Sequence, residues 1–178
     1  MDLVKEARAG SEAAFLRLFD EHHLPLFRFA YRLTGSTSDA EDVVQECFLE
    51  LLRPGCSYDS ERTSIRTYLF GIVRNQCLKR WRKDALATDD GPETRHERSP
   101  EGDVLRAEME EIIFRAVREL PETQREVLIL AHYEQMPLAE IAGVLEIEVA
   151  AVKSRLQRAR AHLKETLAAY APGAGRKQ

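Results

Sequence analysis

Leu138-Ala-Glu-Ile-Ala-Gly-Val-Leu-Glu-Ile-Glu-Val-Ala-Ala-Val-Lys-Ser-Arg-Leu-Gln-Arg-Ala-Arg-Ala-His-Leu163 reads as two helices joined by a tight turn, and the second helix is cationic. Val149 to Lys164 carries Lys153, Arg155, Arg158, Arg160 and Lys164 without a single Asp or Glu, inside a chain of net charge −4. A basic helix in an acidic protein points to a local polyanion contact. On the 3.6-residue period, Val152, Leu156, Ala159 and Leu163 form its buried stripe. The opposite face holds Ala150, Ala151, Ser154, Gln157, Arg158 and Ala161. Small residues at the N-terminal end let such a helix enter a DNA major groove closely, where Ser154, Gln157 and Arg158 can read base edges. Lys153, Arg155 and Arg160 lie on the flanks, where phosphates run, and would position rather than specify.

Charge alternates along the rest of the chain. Residues 1–60 hold 6 basic and 11 acidic groups, 61–83 hold 7 and 1, 84–136 hold 6 and 14, and 137–178 hold 7 and 4. Two basic blocks alternating with two acidic ones indicate two separate polyanion contacts and acidic surfaces that face something other than nucleic acid. The 178 residues suffice for one ordinary domain or two small ones, and 44% apolar with 31% charged residues is the composition of a soluble folded protein. Apolar runs are short and Met1-Asp-Leu-Val-Lys-Glu6 is not a leader, so a cytoplasmic protein without membrane insertion is expected.

Apolar residues recur at helical spacing nearly everywhere and alternating runs are absent, which predicts an all-α chain. A first helix is expected from Ser11 to Asp20, burying Ala14, Phe15, Leu18 and Phe19, and a second from Leu24 to Leu33, presenting Phe27, Ala30 and Tyr31. Ser38-Asp-Ala-Glu41 has the spacing of a capping box and should open a third helix reaching Leu52, with Val43, Val44, Cys47, Phe48 and Leu51 inward and Asp39, Glu41, Asp42, Gln45, Glu46 and Glu50 on its other faces. A fourth begins near Ser64. Periodicity stops between Asp84 and Asp103, where Asp89-Asp-Gly-Pro92, Ser99-Pro100 and Gly102 read as a flexible acidic linker. The chain thus divides into a domain over 1–83, a linker over 84–103, a helix-turn-helix domain over 104–170 and a frayed tail over 171–178. Helices are predicted near 104–119, 121–133, 138–145 and 149–169, with Pro121 at a first helical position.

The other basic block, Ser64-Ile-Arg-Thr-Tyr-Leu-Phe-Gly-Ile-Val-Arg-Asn-Gln-Cys-Leu-Lys-Arg-Trp-Arg-Lys83, interleaves aromatics with cations. Ile65, Tyr68, Leu69, Ile72 and Val73 form a core stripe, while Gly71, Asn75, Lys79 and Arg82 align on a polar face. Such a face suits single-stranded or distorted nucleic acid, with cations along the backbone and amide or aromatic groups at exposed bases. Cys47, Cys56 and Cys77 are widely spaced, without a Cys-x-x-Cys pair or a His at ligand spacing, and read as inert thiols. No nucleophile–base pair, metal cluster or phosphate-cradling Gly loop is visible, and His22-His23 look like exposed or half-buried side chains. Neither catalysis nor a cofactor is expected.

Together these pieces resemble a bacterial RNA polymerase sigma factor of the compact extracytoplasmic-function group, in the sigma-70 family. Ser38-Asp-Ala-Glu-Asp-Val-Val-Gln-Glu-Cys-Phe-Leu-Glu-Leu51 is similar to that family's polymerase-binding helix, and Arg66-Thr-Tyr-Leu-Phe-Gly-Ile-Val-Arg-Asn75 to its promoter-melting helix. Leu120-Pro-Glu-Thr-Gln-Arg-Glu-Val-Leu128 and Val152-Lys-Ser-Arg-Leu-Gln-Arg-Ala-Arg160 complete the order. The resemblance implies that Asp39, Asp42, Gln45, Glu46 and Leu49 dock on core RNA polymerase. It implies that Arg66, Tyr68, Arg74, Asn75, Lys79, Arg80 and Arg82 serve the minus-ten element, and that Lys153, Ser154, Arg155, Gln157, Arg158 and Arg160 contact the minus-thirty-five duplex of promoter DNA. It further implies an anti-sigma factor, an envelope or environmental stress as the signal, and a monomer when not in complex.

Three positions depart from the family pattern: Pro137 where Ser or Thr caps the first helix of the motif, Glu146 where Gly makes the turn, and Ala151 where Thr opens the recognition helix. A non-Gly residue at a left-handed turn carries strain, and missing capping oxygens weaken both helix starts. Two other functions stay open on the residues alone: a stand-alone helix-turn-helix regulator, and a sigma-mimicking decoy that sequesters an anti-sigma factor.

Overall fold

The computed structural model describes residues 2–87, 104–168 and 170, with backbone alone for 83–87 and 104–107. Among these residues the regular structure is helical, without strands. They form two compact units, one built on the helices between Leu3 and Ala87 and the other on Val104–Glu119, Glu122–Leu128 and Val149–Ala168. The elements of the first are α1 (Leu3–Arg8), α2 (Glu12–Thr34), α3 (Thr37–Leu52) and α4 (Ile65–Ala87).

Helix α1 escapes a reading by period because six residues span under two turns. Its start is set by Asp2, whose carboxylate accepts from the Val4 and Lys5 amides, and it buries Val4 and Ala7. Arg8 then donates to the Leu51 carbonyl at 2.8 Å, tying α1 to the end of α3.

The two helices expected over 11–20 and 24–33 are one, α2, which runs through Pro25. Proline removes the bond to the Glu21 carbonyl and costs about 3 kcal/mol inside a helix. Against that stands an unbroken buried stripe of Ala14, Leu18, His22, Leu26, Phe29, Ala30 and Leu33. At about 1.5–3 kcal/mol for each fully buried Leu or Phe, burial wins. The stripe is continuous only because His22 occupies the joint, and His22 is buried (7% exposed) rather than exposed or half-buried. Phe15 and Phe19 are half-buried, not core, and pack by their rings on Phe48 of α3 at 6.1 and 5.1 Å.

Gly35 ends α2 in the left-handed conformation, φ +73°, and its amide closes on the Tyr31 carbonyl at 2.7 Å. That turn places Ser36 in extended backbone, so Ser36 rather than Ser38 caps α3, accepting from the Asp39 amide at 3.2 Å. Both serines have an acid three residues on; the position of the glycine decides between them. Helix α3 buries Ala40, Val43, Val44, Cys47, Phe48 and Leu51. Ser64 caps α4 through the Thr67 amide at 3.1 Å. Leu69, Phe70, Ile72, Val73 and Cys77 of α4 are buried, with Phe70 packed on Phe29 at 5.2 Å, whereas Ile65 and Tyr68 are only half-buried. The cysteines are free thiols, Cys47 and Cys77 buried and Cys56 half-buried. Helix α4 continues to Ala87, four residues into the stretch read as linker; 88–103 and the tail 171–178 lie outside the described residues.

The later elements are α5 (Val104–Glu119), α6 (Glu122–Leu128), a π turn continuing it over Ile129–Tyr133, α7 (Leu138–Leu145) and α8 (Val149–Ala168). Pro121 precedes α6 in extended backbone, one position before the first helical residue, and its carbonyl takes the Gln124 and Arg125 amides. Helix α8 packs on α5 and α6 and buries Val152, Leu156 and Ala159, with Leu163 half-buried toward its end. Pro137 leads into α7 with only its carbonyl, which accepts from Ile141 at 3.0 Å. Helix α8 begins at Val149, so the residue at its cap is Glu148, whose carbonyl takes the Ala151 and Val152 amides. Ala151 sits one turn inside and is not the capping position. Between the two helices Glu146 holds φ +54°, so the strain expected of a non-glycine turn is present.

Two outcomes follow from these placements. Burial holds the His22 imidazole below its ordinary pKa, Glu21 opposing and Arg66 reinforcing the effect. The unfolded imidazole protonates near pH 6.5, so below that pH the unfolded state binds more protons and stability falls with acidification. Urea unfolding of wild type and His22→Leu at pH 7.5 and 5.5 should show a smaller acid loss in the variant. For Glu146→Gly, relief of a left-handed non-glycine residue at about 1–2 kcal/mol exceeds the entropy glycine adds to the unfolded chain, about 0.5–1 kcal/mol. Slower hydrogen exchange of the amides at the start of α8 is the expected readout.

Candidate polymerase and nucleic-acid faces

On α3 the stripe opposite the core carries Asp39, Asp42, Gln45, Glu46 and Leu49. Leu49 is 66% exposed, an apolar side chain at the end of an acidic surface. The acids are not isolated. From α4, Arg80 donates to Asp39 Oδ1 at 3.4 Å, Asp42 Oδ2 at 3.5 Å and Glu46 Oε1 at 3.0 Å. One helical turn earlier, Gln76, with its amide nitrogen turned toward α3, donates to Glu46 Oε2 at 3.1 Å and to the Val43 carbonyl at 3.0 Å. Partial burial disfavours the charged Arg80, but Glu46 and Asp42 outweigh it and hold its pKa above the ordinary value. The Arg80 guanidinium, expected at the minus-ten element, thus lies against the acids of α3. No period in the sequence reveals this pairing, because the partners are 34 to 41 residues apart.

At 100° per residue, Asn75, Lys79 and Arg82 fall within about 60° of one another on α4, whereas Arg66 and Arg80 point about 140–180° from Asn75. The three are exposed. Arg74, half-buried on the flank, donates to Asn75 Oδ1 at 3.4 Å and so orients the amide. Tyr68 lies two turns earlier on the same side, its hydroxyl shared with Cys56 Sγ at 3.1 Å and Ser57 Oγ at 3.3 Å and its ring 5.2 Å from that of Tyr58. Burial, then the Cys56 contact, pushes the Tyr68 phenol above its ordinary pKa. Arg66 lies over the Phe70 ring at 5.8 Å. The structure thus gathers Asn75, Lys79 and Arg82, with Arg74 and Tyr68 adjoining, and separates Arg66 and Arg80 from them.

On α8, Lys153, Gln157, Arg158 and Arg160 are exposed and Ser154 and Arg155 half-buried. Arg158 Nη2 donates to Ser154 Oγ at 2.8 Å, one turn back on the face opposite the buried stripe. Arg160 Nε meets His132 Nε2 at 3.3 Å, a contact across from the π turn that the sequence did not announce. All six residues read for this helix lie clear of its buried stripe. Among the described residues no cluster of three or more His, Cys, Asp or Glu is arranged to hold a metal ion, and no helix is long and apolar enough to cross a membrane.

Residues 18–86 match Sigma-70 region 2 and residues 110–163 match Sigma-70, region 4. The ECF RNA polymerase sigma factor SigL of Mycobacterium tuberculosis is 34% identical over 166 residues, covering 89% of this chain and 92% of its own length. The chain belongs to the extracytoplasmic-function RNA polymerase sigma factors. It is also similar to the ECF RNA polymerase sigma factor SigW of Bacillus subtilis, at 28% identity over 92% of this chain and 94% of that one. Among solved structures it resembles CnrH in complex with the cytosolic domain of CnrY, with a TM-score of 0.73 and 28% identity over 94% of this chain and 96% of that one. As a member of this family the chain is a transcription initiation factor.

The acidic cluster on α3 is partly exposed, and surface pairs of this kind contribute about 0–1 kcal/mol. Arg80→Ala should therefore lower stability by no more than about 1 kcal/mol in urea unfolding followed by circular dichroism.

Proposed function

We propose that this sigma factor binds core RNA polymerase through the Asp39, Asp42, Gln45, Glu46 and Leu49 face of α3. The observation that carries the reading is an exposed acidic stripe ending in an exposed leucine, on a helix whose other side is fully committed to the core. In a DNA-binding protein such a stripe repels phosphate, so its partner is a protein surface with basic groups and an apolar contact. Asn75, Lys79 and Arg82, with Arg74 and Tyr68 beside them, take the melted strand of the minus-ten element: cations follow the backbone while the amide meets an exposed base. Arg66, on the opposite side of α4 over the Phe70 ring, stands apart from this group.

The minus-thirty-five duplex falls to α8. Ser154, Gln157 and Arg158 face base edges, with Arg158 pre-set by its bond to Ser154; Lys153, Arg155 and Arg160 take phosphates. Residues 1–83 act as the polymerase and minus-ten domain and 104–170 as the minus-thirty-five domain. The work is binding and positioning in the cytoplasm, without catalysis by the chain itself and without a cofactor. Control by an anti-sigma factor, in response to an envelope or environmental stress, fits an exposed acidic face and two exposed basic ones that need covering when transcription is not wanted. The complex of the similar CnrH with the cytosolic domain of CnrY supports a protein partner of this kind.

Runoff transcription tests the reading. Core polymerase with this chain should give discrete transcripts from the host's promoters, and Asp42→Lys/Glu46→Lys should abolish them by weakening polymerase binding at least tenfold while circular dichroism stays unchanged. Polymerase binding without transcripts would favour the decoy. Tight, sequence-specific binding of an isolated duplex by the chain alone would favour a stand-alone regulator.

A further inference from the structure

We infer that Arg80 is a positioning residue of the polymerase-docking face and not a contact to promoter DNA. The inference rests on the reading of α3 as that face and adds a residue from another helix to it. Three carboxylates at steps of three and four residues on one helix side repel one another, and left alone they would spread among rotamers. Arg80 gathers one oxygen of each: Nη1 spans Asp39 and Asp42, and Nη2 takes Glu46.

Exposure decides the direction in which this cluster works. The Arg80 side chain is 25% exposed, whereas Asp39, Asp42 and Glu46 are 42%, 62% and 54% exposed. The cation is recessed and the carboxylates face outward. A phosphate could reach the guanidinium only past three negative groups, while a basic partner meets the carboxylates first. On the helix wheel Arg80 also lies about 100–160° from Asn75, Lys79 and Arg82.

Gln76 extends the same device. Its amide nitrogen takes the second oxygen of Glu46 while its link to the Val43 carbonyl anchors it on α3, so Glu46, the acid nearest Arg80, is held from both sides. A fork of donors suits this task in a way that a single ammonium does not. Side chains already held in one arrangement lose less freedom when a partner arrives. Removing Arg80 has two opposed effects: it strengthens long-range attraction to a basic partner, and it releases the three acids. At 0.15 M salt, where charges are screened beyond about 8 Å, the second dominates.

The experiment measures the affinity of the full chain for core RNA polymerase at 0.15 M salt, in wild type, Arg80→Ala, Asp42→Asn/Glu46→Gln, and all three changes together. Arg80→Ala should weaken binding about tenfold, and in the Asp42→Asn/Glu46→Gln background the same change should cost less than about twofold, because Arg80 acts through those carboxylates. In holoenzyme assembled at saturating concentration, Arg80→Ala should leave capture of a minus-ten single strand unchanged, whereas Lys79→Ala weakens it. Unchanged or tighter polymerase binding by Arg80→Ala overturns the inference, as does an undiminished effect in the neutralised background or a loss of strand capture matching that of Lys79→Ala. Failure of the wild-type chain to bind polymerase would instead overturn the docking role of α3 and this inference with it.

Discussion

Burial of one stripe on each of α2, α3 and α4 is the constraint from which the first unit follows. Leu26 and Phe29 of α2, Val43 and Leu51 of α3, and Leu69 and Val73 of α4 are removed from water. A helix has a fixed period, so choosing its buried stripe also chooses what it shows to solvent. On α3 that is the Asp39, Asp42, Glu46 row; on α4 it is the Asn75, Lys79, Arg82 row. Opposite charges on neighbouring helices would neutralise each other if both faced the same groove. Arg80, about 140° around α4 from Asn75, is the cation that reaches across to Glu46 of α3, away from the Asn75 row.

The second unit uses the same logic with less margin. Val152, Leu156 and Ala159 seat α8, and this leaves Ser154, Gln157 and Arg158 on the outer face. Its entry is built from weak pieces. Glu146 is held left-handed without being glycine, Pro137 offers α7 only a carbonyl, and the residue at the start of α8 is Glu148. Local signals that would favour this turn in isolation are poor, so packing holds it. Ile141 and Val152, on either side of the turn, are buried.

Much of this was legible beforehand. The all-α class, the stretch of α3 to α8, the buried stripes of α3 and α8, and the faces bearing Asn75, Lys79 and Arg82 or Ser154, Gln157 and Arg158 all come from period and charge. The family came from four motifs in order. Reading failed where a residue's local preference was outvoted at a distance. Pro25 signalled a break, but His22 and Leu26 on either side of it are buried together and the helix persists. Ser38-x-x-Glu41 and Ser36-x-x-Asp39 are equivalent as text, and the left-handed Gly35 selected the earlier. Helix α1 was too short to leave a period.

What the sequence by itself determined is the set of amphipathic stripes, and through them which residues each helix turns outward, because periodicity is a property of the chain alone. Which outward residues meet one another was decided only by tertiary structure. Arg80 sits in a run of cations and reads as one more phosphate contact, yet the packing of α3 on α4 brings Asp39, Asp42 and Glu46 within reach of its guanidinium. The physical reason is range: helix formation depends on neighbours three and four residues away, whereas an ion pair depends on distance in space, and here its partners are 34 to 41 positions apart in the chain.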